Sequence, residues 1–151
     1  MNRTKSPLKR ENLVFEQVKP TKVQTDILYQ LLGERQHFIS HKGSISFAEH
    51  EKFVKNMPYR AWFLVKDNGF YKGSFYLTDT NTIGINLKKG CYAELLASIL
   101  EFVEGNYKPL NEVPSVRVAG FFINVPTNNL ELMELLQNKY SHPIQYTFKI
   151  T

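Results

Sequence analysis

The chain has 151 residues, 42% of them hydrophobic and 13% aromatic, which fits one folded domain and excludes a disordered chain. Its net charge of +5 reflects 19 Lys and Arg against 14 Asp and Glu. Four of the basic residues lie in the first ten positions, so the other positions carry 15 basic against 14 acidic side chains. We therefore expect a flexible basic tail over residues 1–12 and one nearly neutral domain over 13–151, which argues against a nucleic-acid-binding face.

Cysteine content and hydropathy limit the cellular compartments in which the protein is expected. Cys91 is the one cysteine, which excludes an internal disulfide and fits a reducing environment. No stretch approaches the roughly 20 apolar residues of a membrane span. Residues 1–13 also lack the apolar core of a signal peptide. We expect a soluble cytoplasmic protein with no membrane partner and no metal site.

Hydrophobic periodicity predicts six strands and four helices. The predicted strands cover residues 13–18, 61–65, 71–77, 82–87, 115–125 and 145–150. The predicted helices begin near Thr21, Ser46, Tyr92 and Asn129. The order is β-α-α-β-β-β-α-β-α-β, an α+β (α/β) arrangement with a mixed central sheet. Its second to fourth strands form an antiparallel meander, and a crossover helix makes the fourth and fifth strands parallel neighbours.

Two local patterns carry functional hypotheses. Ser46 and Glu49 form a capping box at the start of the second helix, which accounts for Glu49 structurally and places His50 in the first turn. His50 is then either a packed histidine or a catalytic one. The strand ending at Leu87 leads through Lys88, Lys89 and Gly90 into the third helix. A basic turn before a helix N-terminus can hold a phosphate, but most such junctions bind nothing.

The predicted order resembles the GNAT superfamily of N-acetyltransferases over residues 13–150. Its front half is similar to the bacterial enzymes of that superfamily that act on nucleotide-linked amino sugars. The residues that carry this second resemblance are Arg35, Ile45, Ser46, Phe47, Ala48, Glu49, His50, Phe53, Trp62, Phe63, Leu64, Val65, Tyr71, Lys72 and Gly73.

The resemblance implies an N-acetyltransferase that uses acetyl-CoA as co-substrate and acts on a small amine, such as a nucleotide-linked amino sugar. The implied coenzyme A contacts are Ile85, Leu87, Lys88, Lys89, Gly90, Cys91, Tyr92, Ala93, Asn124 and Asn128. Glu49 and His50 would be the general bases. Arg35, His37 and Tyr76 would contact the acceptor. A homodimer is left open.

The chain also departs from the superfamily pattern. The usual turn has Arg or Gln, then Gly three residues later and Gly or Ala two residues after that. Aligning Lys88 and Ala93 with that pattern puts Cys91 in place of the first glycine. Aligning Gly90 with that glycine instead puts Leu87 and Tyr92 at the two ends. Leu135 stands where a tyrosine often acts as general acid. The alternative is a GNAT-like protein that binds a ligand without transferring acetyl. A third hypothesis is a nucleic-acid binder that uses the basic tail.

Overall fold

A computed structural model describes residues 12–34, 45–140 and 143–151. The predicted tail therefore lies almost wholly outside the described residues. The elements are, in chain order, β1 (Leu13–Gln17), α1 (Lys22–Gly33), α2 (Phe47–Lys55), β2 (Ala61–Asp67), β3 (Phe70–Leu77), β4 (Thr82–Leu87), α3 (Tyr92–Asn106), β5 (Phe122–Ile123) and α4 (Leu130–Tyr140). No helix within the described ranges is both long and apolar enough to cross a membrane.

The five strands form one mixed sheet in the order β1-β2-β3-β4-β5. The first four strands pair antiparallel, and β5 pairs parallel with β4 through Thr82–Phe122 and Ile83–Ile123. The predicted meander and the predicted parallel neighbours are both confirmed. The α+β class with a mixed central sheet is confirmed with them.

The central strands send alternate side chains to two different faces of the sheet. Odd-numbered residues of β2, β3 and β4, such as Phe63, Phe75 and Ile85, pack against α3 and α4 in the main core. Even-numbered residues face α1 and α2, where Trp62 and Leu64 join Leu28 and Val54 in a second cluster. The sheet therefore separates its main core from the face that carries the cavity described below.

Helix caps fix where α2 and α4 begin. Ser46 accepts from the Glu49 N–H, and Glu49 accepts from the Ser46 N–H, both at 3.2 Å, so the predicted capping box is confirmed. α4 begins after the buried Asn129, whose side chain accepts from the Leu132 N–H at 3.2 Å.

The predicted strand over residues 115–125 is wrong in length, since only Phe122 and Ile123 pair with β4. Ser115 and Gly120 have φ of +63° and +94°, which breaks the extended conformation on either side of Val118. Residues 113–117 instead close a turn through an isolated bridge. The valines of this segment have strand propensity, but these turns override it.

The predicted closing strand over residues 145–150 is also wrong, because residues 143–151 form no strand. Tyr146, Phe148 and Ile150 are 74–89% exposed. A strand needs a partner for its backbone groups, and β5 at the edge of the sheet is two residues long. The segment has the alternating apolar and polar residues of a strand, but no strand among the described residues pairs with it.

Candidate active site

A cavity of about 380 Å³ lies between the sheet face of Trp62 and Tyr76 and the helices α1 and α2. It extends to the end of β4 and the start of α3. Its lining residues are Leu28, Leu31, Leu32, Glu34, Ile45, His50, Phe53, Tyr59, Trp62, Gly73, Ser74, Tyr76, Asn86, Leu87, Lys88 and Tyr92. The cavity is the size of small-molecule sites in proteins.

Gly84 shapes one wall of the cavity by having no side chain. Tyr76 pairs with Gly84 across the β3–β4 ladder, and its ring occupies the space that a Cβ at position 84 would need. An ideal Cβ at position 84 would overlap the Tyr76 ring. The Tyr76 ring also stacks on Tyr59, with centroids 3.8 Å apart and planes at 11°. Gly84 therefore makes room for the ring of a tyrosine of the same chain.

His50 lines the cavity as a neutral base. Its Nε2 lies 3.2 Å from the Thr25 carbonyl oxygen, which can only accept, so Nε2 carries the proton and Nδ1 carries the lone pair. Burial lowers the pKa of His50 below its ordinary value of 6.5, and the bond to Thr25 partly opposes that effect. The imidazole is thus uncharged at neutral pH and able to accept a proton at Nδ1.

Glu49, the other predicted base, is exposed and does not line the cavity. Its carboxylate is bound in the capping box at Ser46. Between the two predicted bases, the geometry favours His50. Arg35 and His37, the predicted acceptor contacts, lie outside the described residues, whereas the third, Tyr76, lines the cavity.

The outer edge of β4 offers one backbone donor. Strand N–H groups point alternately to the two edges of a strand. Lys88 donates toward β3, to the Lys72 carbonyl at 2.8 Å, so Leu87 points away from β3 and donates to the Tyr92 hydroxyl at 3.2 Å. Ile85 points to the same edge as Leu87, beyond the last β4–β5 pair at Ile83. Of these two predicted coenzyme A contacts, Leu87 has its N–H engaged and Ile85 lies at the open part of the edge.

The turn after β4 already holds an anion from its own chain. Gly90 has φ of +81°, and its N–H donates to both carboxylate oxygens of Glu131, at 3.0 and 2.9 Å. Glu131 comes from the first turn of α4. The turn is therefore able to bind an anion, and a carboxylate occupies the N–H that a phosphate would use.

Lys88, the cation of the turn that lines the cavity, is paired in the same way. Its Nζ lies 3.2 Å from Glu34 Oε2, a residue that follows α1. Both side chains are more than 40% exposed, so the pair is weak and water can replace it. Two carboxylates, Glu34 and Glu131, therefore bind the Lys88 ammonium and the Gly90 N–H.

The other predicted coenzyme A contacts lie apart from the cavity. Lys89 and Ala93 are exposed, and Cys91 begins α3 without a side-chain cap. Asn124 and Asn128 are exposed and do not line the cavity. The neighbouring Asn129, which sequence reasoning did not single out, is the residue that caps α4.

Sequence reasoning missed most of the cavity wall. The two-residue period of a strand puts Ser74 and Tyr76 on one face of β3, and the register adds Asn86 on β4 and Trp62 on β2 to that face. That period was a signal for the wall residues. No sequence signal pointed to Glu131, because its contact with Gly90 joins positions that are 41 residues apart.

No protein-family model matches the sequence, and no curated protein matches it. Among solved structures, the chain is similar to a possible acetyltransferase from Clostridium difficile 630, with a TM-score of 0.56. The identity is 10%, and the similarity covers 93% of this chain and 97% of that chain. At this identity the match shows a GNAT-like fold.

Replacing Gly84 with Ala should destabilise the protein by about 1–3 kcal/mol, because the added methyl group displaces the Tyr76 ring. Urea unfolding of wild type, Gly84→Ala, Tyr76→Ala and the double variant measures the coupling. The cost of Gly84→Ala should fall once Tyr76 is truncated. An equal cost in both backgrounds would show that the ring is not what the methyl group meets.

Acid should destabilise the protein through His50. Because the folded-state pKa of His50 is below 6.5, the unfolded chain takes up the proton first. Stability should therefore fall as pH drops from about 6.5 toward the folded-state pKa. Urea unfolding between pH 8 and pH 5 should show a steeper loss for wild type than for His50→Gln, whose amide keeps a donor without titrating. Parallel curves for the two proteins would contradict this account.

Proposed function

We propose that the chain is an acetyl-CoA-dependent N-acetyltransferase acting on a small amine. The observation that carries the proposal is the neutral, buried His50 lining a cavity that also reaches Tyr92 and the end of β4. The GNAT-like fold, shared with a possible acetyltransferase, supports it. A cytoplasmic location and a homodimer belong to this proposal as predictions.

In the proposed reaction, the amine nitrogen attacks the thioester carbonyl carbon and the carbon–sulfur bond breaks. The amine proton passes to His50 Nδ1. The Ile85 N–H, at the open edge of β4, stabilises the oxyanion. The Tyr92 hydroxyl accepts from the Leu87 N–H and keeps its own proton, which it gives to the departing thiolate. Glu49 could assist only through water, since it does not line the cavity.

Coenzyme A phosphates would bind at the turn, where the Gly90 N–H points at an anion already. Glu131 supports this placement, because the Gly90 N–H already binds a carboxylate, which a phosphate would replace. The nucleotide-linked amino sugar is the narrower acceptor hypothesis. It depends on Arg35 and His37, which lie outside the described residues.

A second candidate is a binding protein that does not transfer acetyl. The observation in its favour is the occupation of the turn, where Glu131 and Glu34 hold the Gly90 N–H and Lys88. A phosphate would have to displace one carboxylate and approach the other. In this reading the fold is retained and the cofactor site is closed.

Acetyl-CoA should stabilise the folded protein, because a ligand that binds only the native state raises the free energy of unfolding. At a concentration hundredfold above its Kd, the increase should be about 2.7 kcal/mol. A thermal melt with and without acetyl-CoA measures it, with adenosine as the control that lacks phosphates and thioester. No shift at millimolar acetyl-CoA would favour the second candidate.

Removing the charge of Glu131 should tighten acetyl-CoA binding about fivefold, because it relieves about 1 kcal/mol of repulsion from the phosphates. Isothermal titration compares wild type with Glu131→Gln. Glu134→Gln is the matched control, since it removes the same charge from the exposed side of α4. Equal affinities for the two variants would mean that the phosphates bind elsewhere.

A further inference from the structure

The wall of the cavity nearest the sheet is built from aromatic rings that hold one another in place. Tyr59 stacks on Tyr76 and meets the Trp62 ring edge-on, with centroids 5.0 Å apart. Phe53 packs edge-on against both Tyr59 and Trp62, each at 5.9 Å. These contacts fix the ring positions before any ligand arrives, so the wall is rigid and apolar.

The α1 side of the cavity is equally apolar. Leu28, Leu31 and Leu32 contribute to it from α1, and Ile45 contributes from the segment before α2. Branched aliphatic side chains facing aromatic rings form a surface that favours a flat apolar group. A ring held between these residues would lose its water against mostly apolar side chains.

The described lining contains two charged side chains, Glu34 and Lys88, and they bind each other. His50 adds no charge at neutral pH. A nucleotide-linked sugar carries two phosphates, which need cations or several N–H donors when they are removed from water. The described part of the cavity offers no cation beyond the Lys88 that Glu34 binds.

The hydrogen-bonding side chains of the described lining include tyrosine hydroxyls and the Trp62 indole N–H, which has no hydrogen-bond partner among the described residues. Three others come from the sheet and α2. Ser74 and Asn86 are cross-strand neighbours on β3 and β4, and His50 lines the cavity from α2. Such groups suit one small polar end of a ligand, such as an amine, while the rest of the ligand lies among the rings.

We infer that the acceptor is an arylalkyl amine, a primary amine on a short chain attached to an uncharged aromatic ring, with the ring held against the wall of Phe53, Tyr59, Trp62 and Tyr76. This inference rests on the proposed function, because it takes the cavity as the acceptor site and His50 as the base. It names a different acceptor class from the nucleotide-linked amino sugar.

The single tryptophan of the chain lies in this wall, so its fluorescence reports occupancy without any reaction. Titration with 2-phenylethylamine should change the Trp62 emission saturably. Glucosamine and a uridine-diphosphate amino sugar should not compete at equal concentration. Dissociation constants from the same titration compare the ligands directly.

Replacing Tyr59 with Leu should weaken 2-phenylethylamine binding about two- to tenfold, the range of one aromatic contact. Phe70→Leu is the matched control, because it removes a ring that is 69% exposed and does not line the cavity. Thermal melts of both variants establish that they are folded. Acetyl transfer is then followed separately, by release of the free thiol from acetyl-CoA.

The outcomes separate the two proposals. Saturable, Tyr59-dependent binding without acetyl transfer would overturn the enzyme and keep the ligand class. Acetyl transfer to the nucleotide-linked amino sugar in preference to the arylalkyl amine would keep the enzyme and overturn the ligand class. If 2-phenylethylamine leaves the Trp62 emission unchanged, or binds Tyr59→Leu as tightly as wild type, the inference is wrong.

Discussion

The two-residue period of the central strands is the constraint on which both the core and the cavity depend. In β2 and β4, and in β3 beyond the register shift at Val65–Lys66, the odd positions enter the main core and the even positions face α1 and α2, whereas Tyr71, before the shift, joins the second cluster. A register shift of one residue would exchange the two sets and expose the core to the cavity side. Stability and recognition are therefore fixed by one ladder, although they use different side chains.

On the cavity face, a base is ready to accept a proton, whereas the turn that could bind an anion is already occupied. His50 is uncharged because it is buried, and its Thr25 bond decides which nitrogen is free. The turn beside it can bind an anion, yet Glu131 is bound there. Under the proposed function, His50 acts on the acceptor, whereas the affinity for coenzyme A depends on the turn.

Local signals predicted much of this architecture. The Ser46–Glu49 capping box, the bounds of β4 and the parallel pairing of β4 with β5 follow from short-range patterns and connection lengths. The cavity wall was partly predictable from the alternation that placed Ser74 and Tyr76 together. The Glu131–Gly90 contact was not, because nothing local to either residue encodes a bond between the turn after β4 and α4. The strand predicted over 115–125 failed because turn geometry at Ser115 and Gly120 outweighed the propensity of the valines.

Asn81 anchors the loop before β5 in a way that lets this loop tolerate changes in its length. This buried side chain donates to the Leu110 and Val118 carbonyls and accepts from the Leu110 N–H, while its own carbonyl accepts from the Phe122 N–H. The two ends of the segment between Leu110 and Val118 are thus pinned to the same residue. Since closure entropy grows slowly with loop length, the exposed stretch between these anchors is where the chain can lengthen during evolution, or receive an inserted peptide, at little cost to the sheet.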